Sequence, residues 1–175
     1  MIRSNVFLLL LTVCLPTSLE AAPVTFIPSG TGPLDGLMTG TLTDGVTGLT
    51  ATFTSNSGVF GSTGASFGIV NNLIDSGESF TVSFDQDVSL TQIDFANFNN
   101  TADALNLTIG AFPVIAADGT QTDDVFDIAV NNSLSAGQTI LFEGVGTGNG
   151  VGITNFTVDT VTAVPEPSSL AILGM

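Results

Sequence analysis

Carboxylates are the only chemically versatile side chains this sequence supplies in number. Sixteen Asp and Glu stand against a single basic residue, Arg3, and there is no His, Trp or Tyr. Two groupings concentrate them: Asp85-Gln86-Asp87, and Asp118 with Asp123, Asp124 and Asp127. One chemistry open to close carboxylates is glycoside hydrolysis, which needs two carboxyl groups roughly 5 to 9 Å apart. The other is calcium binding, because calcium is a hard cation satisfied by carboxylate, amide and backbone oxygens. Asp85, Asp87, Asp123, Asp124 and Asp127 are therefore the candidate calcium ligands, and calcium is the one cofactor the sequence points to. Neither grouping carries the Gly and terminal Glu of an EF-hand loop. The competing reading of both is plain turn chemistry, in which Asp bonds neighbouring backbone and stays solvated.

Other catalytic devices are missing. Without His there is no Ser-His-Asp triad, and the absence of Lys removes Schiff-base chemistry. Cys14 is the only cysteine, so zinc and copper lack their usual ligands. Jelly-roll glycosidases usually present Glu-x-Asp-x-x-Glu on a strand, and no such string occurs. The run Gly144-Val145-Gly146-Thr147-Gly148-Asn149-Gly150 lacks the Lys and the following helix of a phosphate loop, and reads as a flexible turn before the last strand. No catalytic residue is assigned, and the expectation is a protein that is not an enzyme. Nucleic acid is excluded as a partner, since nothing replaces its condensed counterions. Anionic lipid is excluded on the same ground. Sugar-binding faces favour Trp and Tyr, and most Phe positions fit an inward pattern. Weak sugar contact through Asn, Asp and bound calcium stays open as an alternative, as does a carboxylate-dependent sugar-active enzyme.

The elements that must position these groups read as strands. Residues 37–43 and 46–54 flank Asp44-Gly45, a pair that favours a two-residue type I′ hairpin turn. Phe80, Val82 and Phe84 share one face of a strand, Thr81 and Ser83 the other. Over residues 88–98 the apolar parity shifts: Val88 and Leu90 share one face, Ile93 and Phe95 the other. A one-residue shift predicts a β-bulge or a strand that changes sheets. Leu105, Leu107 and Ile109 alternate, as do Phe126, Ile128 and Val130, then Ile140 and Phe142, and the last strand turns Phe156 and Val158 inward. No 3.6-residue period is sustained. About nine short strands predict an all-β fold: a two-layer antiparallel β-sandwich or jelly roll over residues 22–163, filled largely by Phe.

The N-terminus reads as a signal peptide over residues 1–21. Arg3 supplies the basic start, residues 6–15 are apolar, and Ala21 and Ala22 mark the cleavage region. A buried N-terminal helix is the alternative. Cleavage by signal peptidase removes Arg3 and Cys14, so the mature chain has no basic side chain, no disulfide, and every carboxylate but Glu20. Its fold must rest on apolar burial and hydrogen bonds.

The final residues, Val164-Pro165-Glu166-Pro167-Ser168-Ser169-Leu170-Ala171-Ile172-Leu173-Gly174-Met175, resemble the PEP-CTERM sorting signal of exported bacterial proteins. The motif stands at Pro165, Glu166 and Pro167, with a short helical tag expected after it. The resemblance implies an exosortase as partner and contact with the membrane only transiently, through the tag. Residues 168–175 span only about 12 Å as helix against a hydrocarbon core of about 30 Å, and no basic end follows. The tag over residues 164–175 is thus expected to be partial, either truncated or decayed. The stretches Phe60-Gly61-Ser62-Thr63-Gly64-Ala65-Ser66-Phe67-Gly68-Ile69 and residues 74–84 resemble segments of other exported proteins with this tag, which implies a β-sandwich and no catalytic motif. The expectation for function is a secreted or cell-surface structural or adhesive protein of the extracellular matrix or biofilm. Extracellular polysaccharide is a candidate partner.

Overall fold

The computed structural model describes residues 23–30, 32–96, 98, 102–118 and 125–161. Thirteen strands run in chain order: β1 Pro23–Phe26, β2 Thr39–Thr43, β3 Thr50–Ser55, β4 Phe60–Ser62, β5 Phe67–Ile69, β6 Ser79–Phe84, β7 Val88–Ala96, β8 Ala104–Ile109, β9 Ile115–Asp118, β10 Val125–Asp127, β11 Ser133–Leu134, β12 Thr139–Gly144 and β13 Gly152–Thr160. The described residues form no helix, and every strand pairing is antiparallel. The chain is all-β with two sheets. One has the order β10-β7-β13-β5-β4, with β1 also on β13 and β11 also on β7. The other has the order β2-β3-β6-β12-β8-β9. The expected signal helix and helical tag lie outside the described residues.

Period-two patterning becomes burial directly. In β6, Phe80, Val82 and Phe84 are buried, with Ser79, Thr81 and Ser83 half-exposed between them. In β8, Leu105, Leu107 and Ile109 do the same. The parity shift in β7 is a bulge. Thr157 faces Gln92 and Val158 faces Leu90, so Thr91 has no opposite number. The extra residue swings Ile93 and Phe95 back to the buried side with Val88 and Leu90. On the β10 side, the Thr91 carbonyl accepts the Ile128 N–H at 2.9 Å, one residue past the end of β10.

Phenylalanines from both sheets meet in one core. Phe53 on β3 touches Phe60, Phe67 and Phe156 across the sheets, at centroid distances of 6.4, 5.7 and 5.9 Å. Phe80 on β6 meets Phe60 and Phe67 edge-on and stacks on Phe142 at 4.7 Å. Phe84 completes the group against Phe26 and Phe156. No buried side-chain nitrogen or oxygen among the described residues lacks a hydrogen-bond partner.

Three local expectations change. The β2–β3 connection is not a two-residue type I′ turn. Register places Thr43 opposite Thr50, so the loop covers residues 44–49. Asp44 Oδ2 accepts the Val46 and Thr47 N–H groups and the Thr47 hydroxyl, which coils the chain forward. The positive φ falls on Gly48, at 75°, not on Gly45. The alternation expected through Val130 stops at Asp127, where β10 ends, and Val130 is 70% exposed. The strands number thirteen among the described residues, against about nine expected, because β4, β5 and β11 hold only three, three and two residues.

Candidate functional site

The Asp85-Gln86-Asp87 turn carries the chain from β6 in one sheet to β7 in the other. Both carboxylates are exposed, yet each is committed to backbone. Asp85 Oδ1 accepts the Thr50 N–H at 2.9 Å, fixing the start of β3. Asp87 Oδ1 accepts the Ala136 N–H at 2.8 Å, fixing the turn between β11 and β12. Asp127 is exposed on β10 opposite Gln92, midway along β7, whereas Asp87 precedes that strand. The fold therefore does not bring Asp127 to Asp85 and Asp87. Among the described residues, no three His, Cys, Asp or Glu are grouped to hold a metal. Asp123, Asp124, the motif Pro165, Glu166 and Pro167, and the cleavage residues Ala21 and Ala22 lie outside the described residues.

Other carboxylates follow the same logic, with amides in place of cations. Asp94 accepts from Gln92 Nε2 at 2.6 Å and from Asn155 Nδ2 at 2.7 Å. Asp75 accepts from Asn71 Nδ2 at 2.8 Å, and its own N–H donates to Glu78 Oε2 at 2.9 Å. Asp103 is 2% exposed and accepts the Asn149 N–H at 3.1 Å. That bond belongs to the glycine-rich 144–150 segment. The segment is the turn before the last strand, and its glycines allow close approach: a Cβ on Gly148 would collide with Asp103 Oδ1. Asp44 is held more acidic by its local hydrogen bonds. Its pKa is lowered, first by the Thr47 hydroxyl, then by the Thr47 N–H, with partial desolvation working the other way and the Val46 N–H adding a further lowering.

Of the described phenylalanines, all are buried except Phe112 and Phe126, which are half-buried. Each of these two rings lines a cleft. The larger, about 270 Å³, opens where β7 begins, beside β11 and the turn after β8. Val88 and Leu134, both buried, lie at its base. Phe112 forms one side, and Asp87, Ser133, Ser135 and Gln138 supply polar groups. Its walls are braced. Phe112 N–H donates to Ile109 O at 3.0 Å, and the adjoining Gly110 N–H donates to Thr139 O at 2.9 Å. Ser135 N–H donates to Gln138 Oε1 at 2.8 Å, and Gln138 N–H returns to Ser135 O at 2.9 Å. The smaller cleft, about 230 Å³, has Phe126, Ile115, Ile128 and Val130 with Asp127 and Asn131. Sequence reasoning missed both rings as lining groups. The signal was present for Phe112, which follows Gly110-Ala111 and precedes Pro113, outside every alternating run.

The chain matches no family model, no curated protein and no solved structure.

Proposed function

We propose that this chain is an exported structural or adhesive component of a bacterial cell surface or extracellular polymer matrix. In this reading signal peptidase removes residues 1–21, and an exosortase-type system handles Pro165-Glu166-Pro167. The body is a two-layer sandwich of jelly-roll type, with its two sheets stacked through the phenylalanine core. The observation that carries the reading is how the carboxylates are employed. Asp44, Asp85, Asp87 and Asp103 accept backbone N–H groups, and Asp75 and Asp94 accept side-chain amides. Acidic groups spent on holding loops fit a durable scaffold better than a reaction centre. Ring contacts between the sheets support the stacked arrangement.

The test is localisation. A native-like bacterial host expressing the full chain is fractionated into cytosol, membrane, surface and medium, and the N-terminus of the product is read by mass spectrometry. The expected result is material outside the cytosol that begins near Ala22. Intact chain in the cytosol with residues 1–21 attached refutes the proposal.

A further inference from the structure

We propose that the Phe112 cleft binds a single uncharged pyranose unit, the free end or a branch of a neutral polysaccharide. The inference rests on the matrix reading for where such a polymer is met, and on the cleft alone for its chemistry. A sugar ring presents one apolar face of C–H groups and a rim of hydroxyls that both donate and accept. The cleft offers both halves of that pattern. Phe112 is held half-exposed in a turn tied to β12, so its ring is available for stacking without leaving the core. Around it stand groups with hydrogen-bonding capacity to spare. Asp87 uses Oδ1 for Ala136, and Oδ2 has no partner among the described residues. Gln138 uses Oε1 for Ser135, and its amide N–H groups are uncommitted among the described residues. The Ser133 and Ser135 hydroxyls make no hydrogen bond to another described residue. One acceptor, one double donor and two hydroxyls, placed beside one ring, suit the alternating hydroxyls of a pyranose.

Size and charge narrow the occupant. A volume of about 270 Å³ lies just below the usual range for small-molecule pockets, which favours one sugar ring over an oligosaccharide or a peptide. The formal net charge is −15, Asp87 sits in the cleft, and the only basic residue is Arg3. Acidic sugars meet repulsion with nothing to offset it. The braces on both walls mean that binding orders little that is not already ordered, which preserves affinity for a small ligand. The Phe126 cleft serves as an internal control, since it sets a ring beside only two polar side chains, Asp127 and Asn131, and no hydroxyl.

The full exported chain, isotope-labelled, is titrated with the methyl glycosides of glucose, galactose and mannose and with dextran, while amide shifts are followed by NMR. Polygalacturonate is the acidic comparison. At least one neutral glycoside is expected to shift residues 87–88, 111–112 and 133–138 with millimolar affinity. Phe112→Leu, which keeps apolar bulk and removes the ring, is expected to weaken binding about tenfold, the equivalent of about 1.4 kcal/mol. Phe126→Leu is expected to leave the affinity unchanged. The proposal is overturned if no neutral sugar shifts these residues at concentrations up to about 50 mM, well above a millimolar Kd. It is also overturned if Phe112→Leu binds as the parent does, or if polygalacturonate binds better than dextran. Each outcome is separate from localisation, so a failed cleft and a failed matrix assignment give different results.

Discussion

Removing the Phe53 ring is the most direct probe of whether the two sheets share one core. Phe53 is fully buried on β3, and its ring touches Phe60, Phe67 and Phe156, all in the other sheet. Phe→Ala at a buried site costs about 3–5 kcal/mol through lost transfer energy and the cavity left behind. Three ring contacts vanish at once, each worth about 0.5–1.5 kcal/mol beyond area in favourable geometry, so the upper half of that range applies. The expected loss is therefore about 4–5 kcal/mol, a large share of the roughly 5–15 kcal/mol that holds a typical domain. Phe53→Leu refills part of the space and is expected to cost about 1–2 kcal/mol. Phe112→Ala, at a half-buried ring outside the central group, is expected to cost about 1–2 kcal/mol by area lost. The assay is urea unfolding followed by far-UV circular dichroism, since the chain has no Trp or Tyr for fluorescence. A Phe53→Ala loss no larger than that of Phe112→Ala refutes the shared core. Two separate transitions in the parent protein refute it as well.

Three further outcomes are expected. Gly148→Ala drives a methyl into the Asp103 carboxylate and costs about 1–3 kcal/mol in the same assay, whereas Gly45→Ala, with open space around it, stays within about 0.5 kcal/mol. Asp44 has a lowered pKa in the fold, so its contribution is fully present above the unfolded value near 4 and fades as pH falls through the folded one. The stability gap between the parent and Asp44→Ala, measured by urea unfolding from neutral pH downward, should stay flat until about pH 5 and close below it. A gap that widens on acidification contradicts the hydrogen bonds from Thr47. For the 85–87 turn, Asp85→Asn and Asp87→Asn keep an acceptor oxygen and should move stability by less than about 1 kcal/mol, while Asp87→Ala loses the bond from Ala136 N–H and costs about 1.5 kcal/mol, the low end for a bond to a charged group because this carboxylate is exposed. Any rise in melting temperature on adding millimolar calcium should survive both Asn variants; its loss in either one makes that carboxylate a ligand.

The fold was legible where one physical cause acted alone. Burial of a single face writes period two into β6 and β8, and the written pattern is the observed one. Even the β7 bulge was visible, because inserting one residue at Thr91 must flip parity. The Asp44-Gly45 turn misled because a second cause intervened. The Asp44 carboxylate captures Thr47, and that local bond outweighs the turn preference of the pair, moving the positive φ to Gly48. β11, at two residues, is shorter than any alternation can be. It exists because β7 offers Ser89 and Val88 as partners, which is tertiary information. The candidate site divides in the same way. Asp85 and Asp87 were recognisable as turn residues. The tie from the Asn149 N–H to Asp103 was not, since the two residues meet only once β12 pairs with β8.

A chain with no cation beyond Arg3 still has to hold its loops. Exposed ion pairs are worth about 0–1 kcal/mol, because two long side chains must be ordered to make them. A carboxylate on a backbone N–H needs only its own short side chain held still, and hydrogen bonds to charged groups run to about 1.5–3 kcal/mol. Asp35 on Ser62 N–H, Asp85 on Thr50 N–H and Asp87 on Ala136 N–H are of this kind, and each joins segments distant in sequence. The partners were always going to be present, since every turn leaves N–H groups outside the ladder. Acidic composition in this fold is thus a supply of acceptors matched to backbone donors. That is why Asp collects at turns and strand ends, and why Asp85 and Asp87, which resemble part of a metal site in sequence, act in the structure as ties between loops.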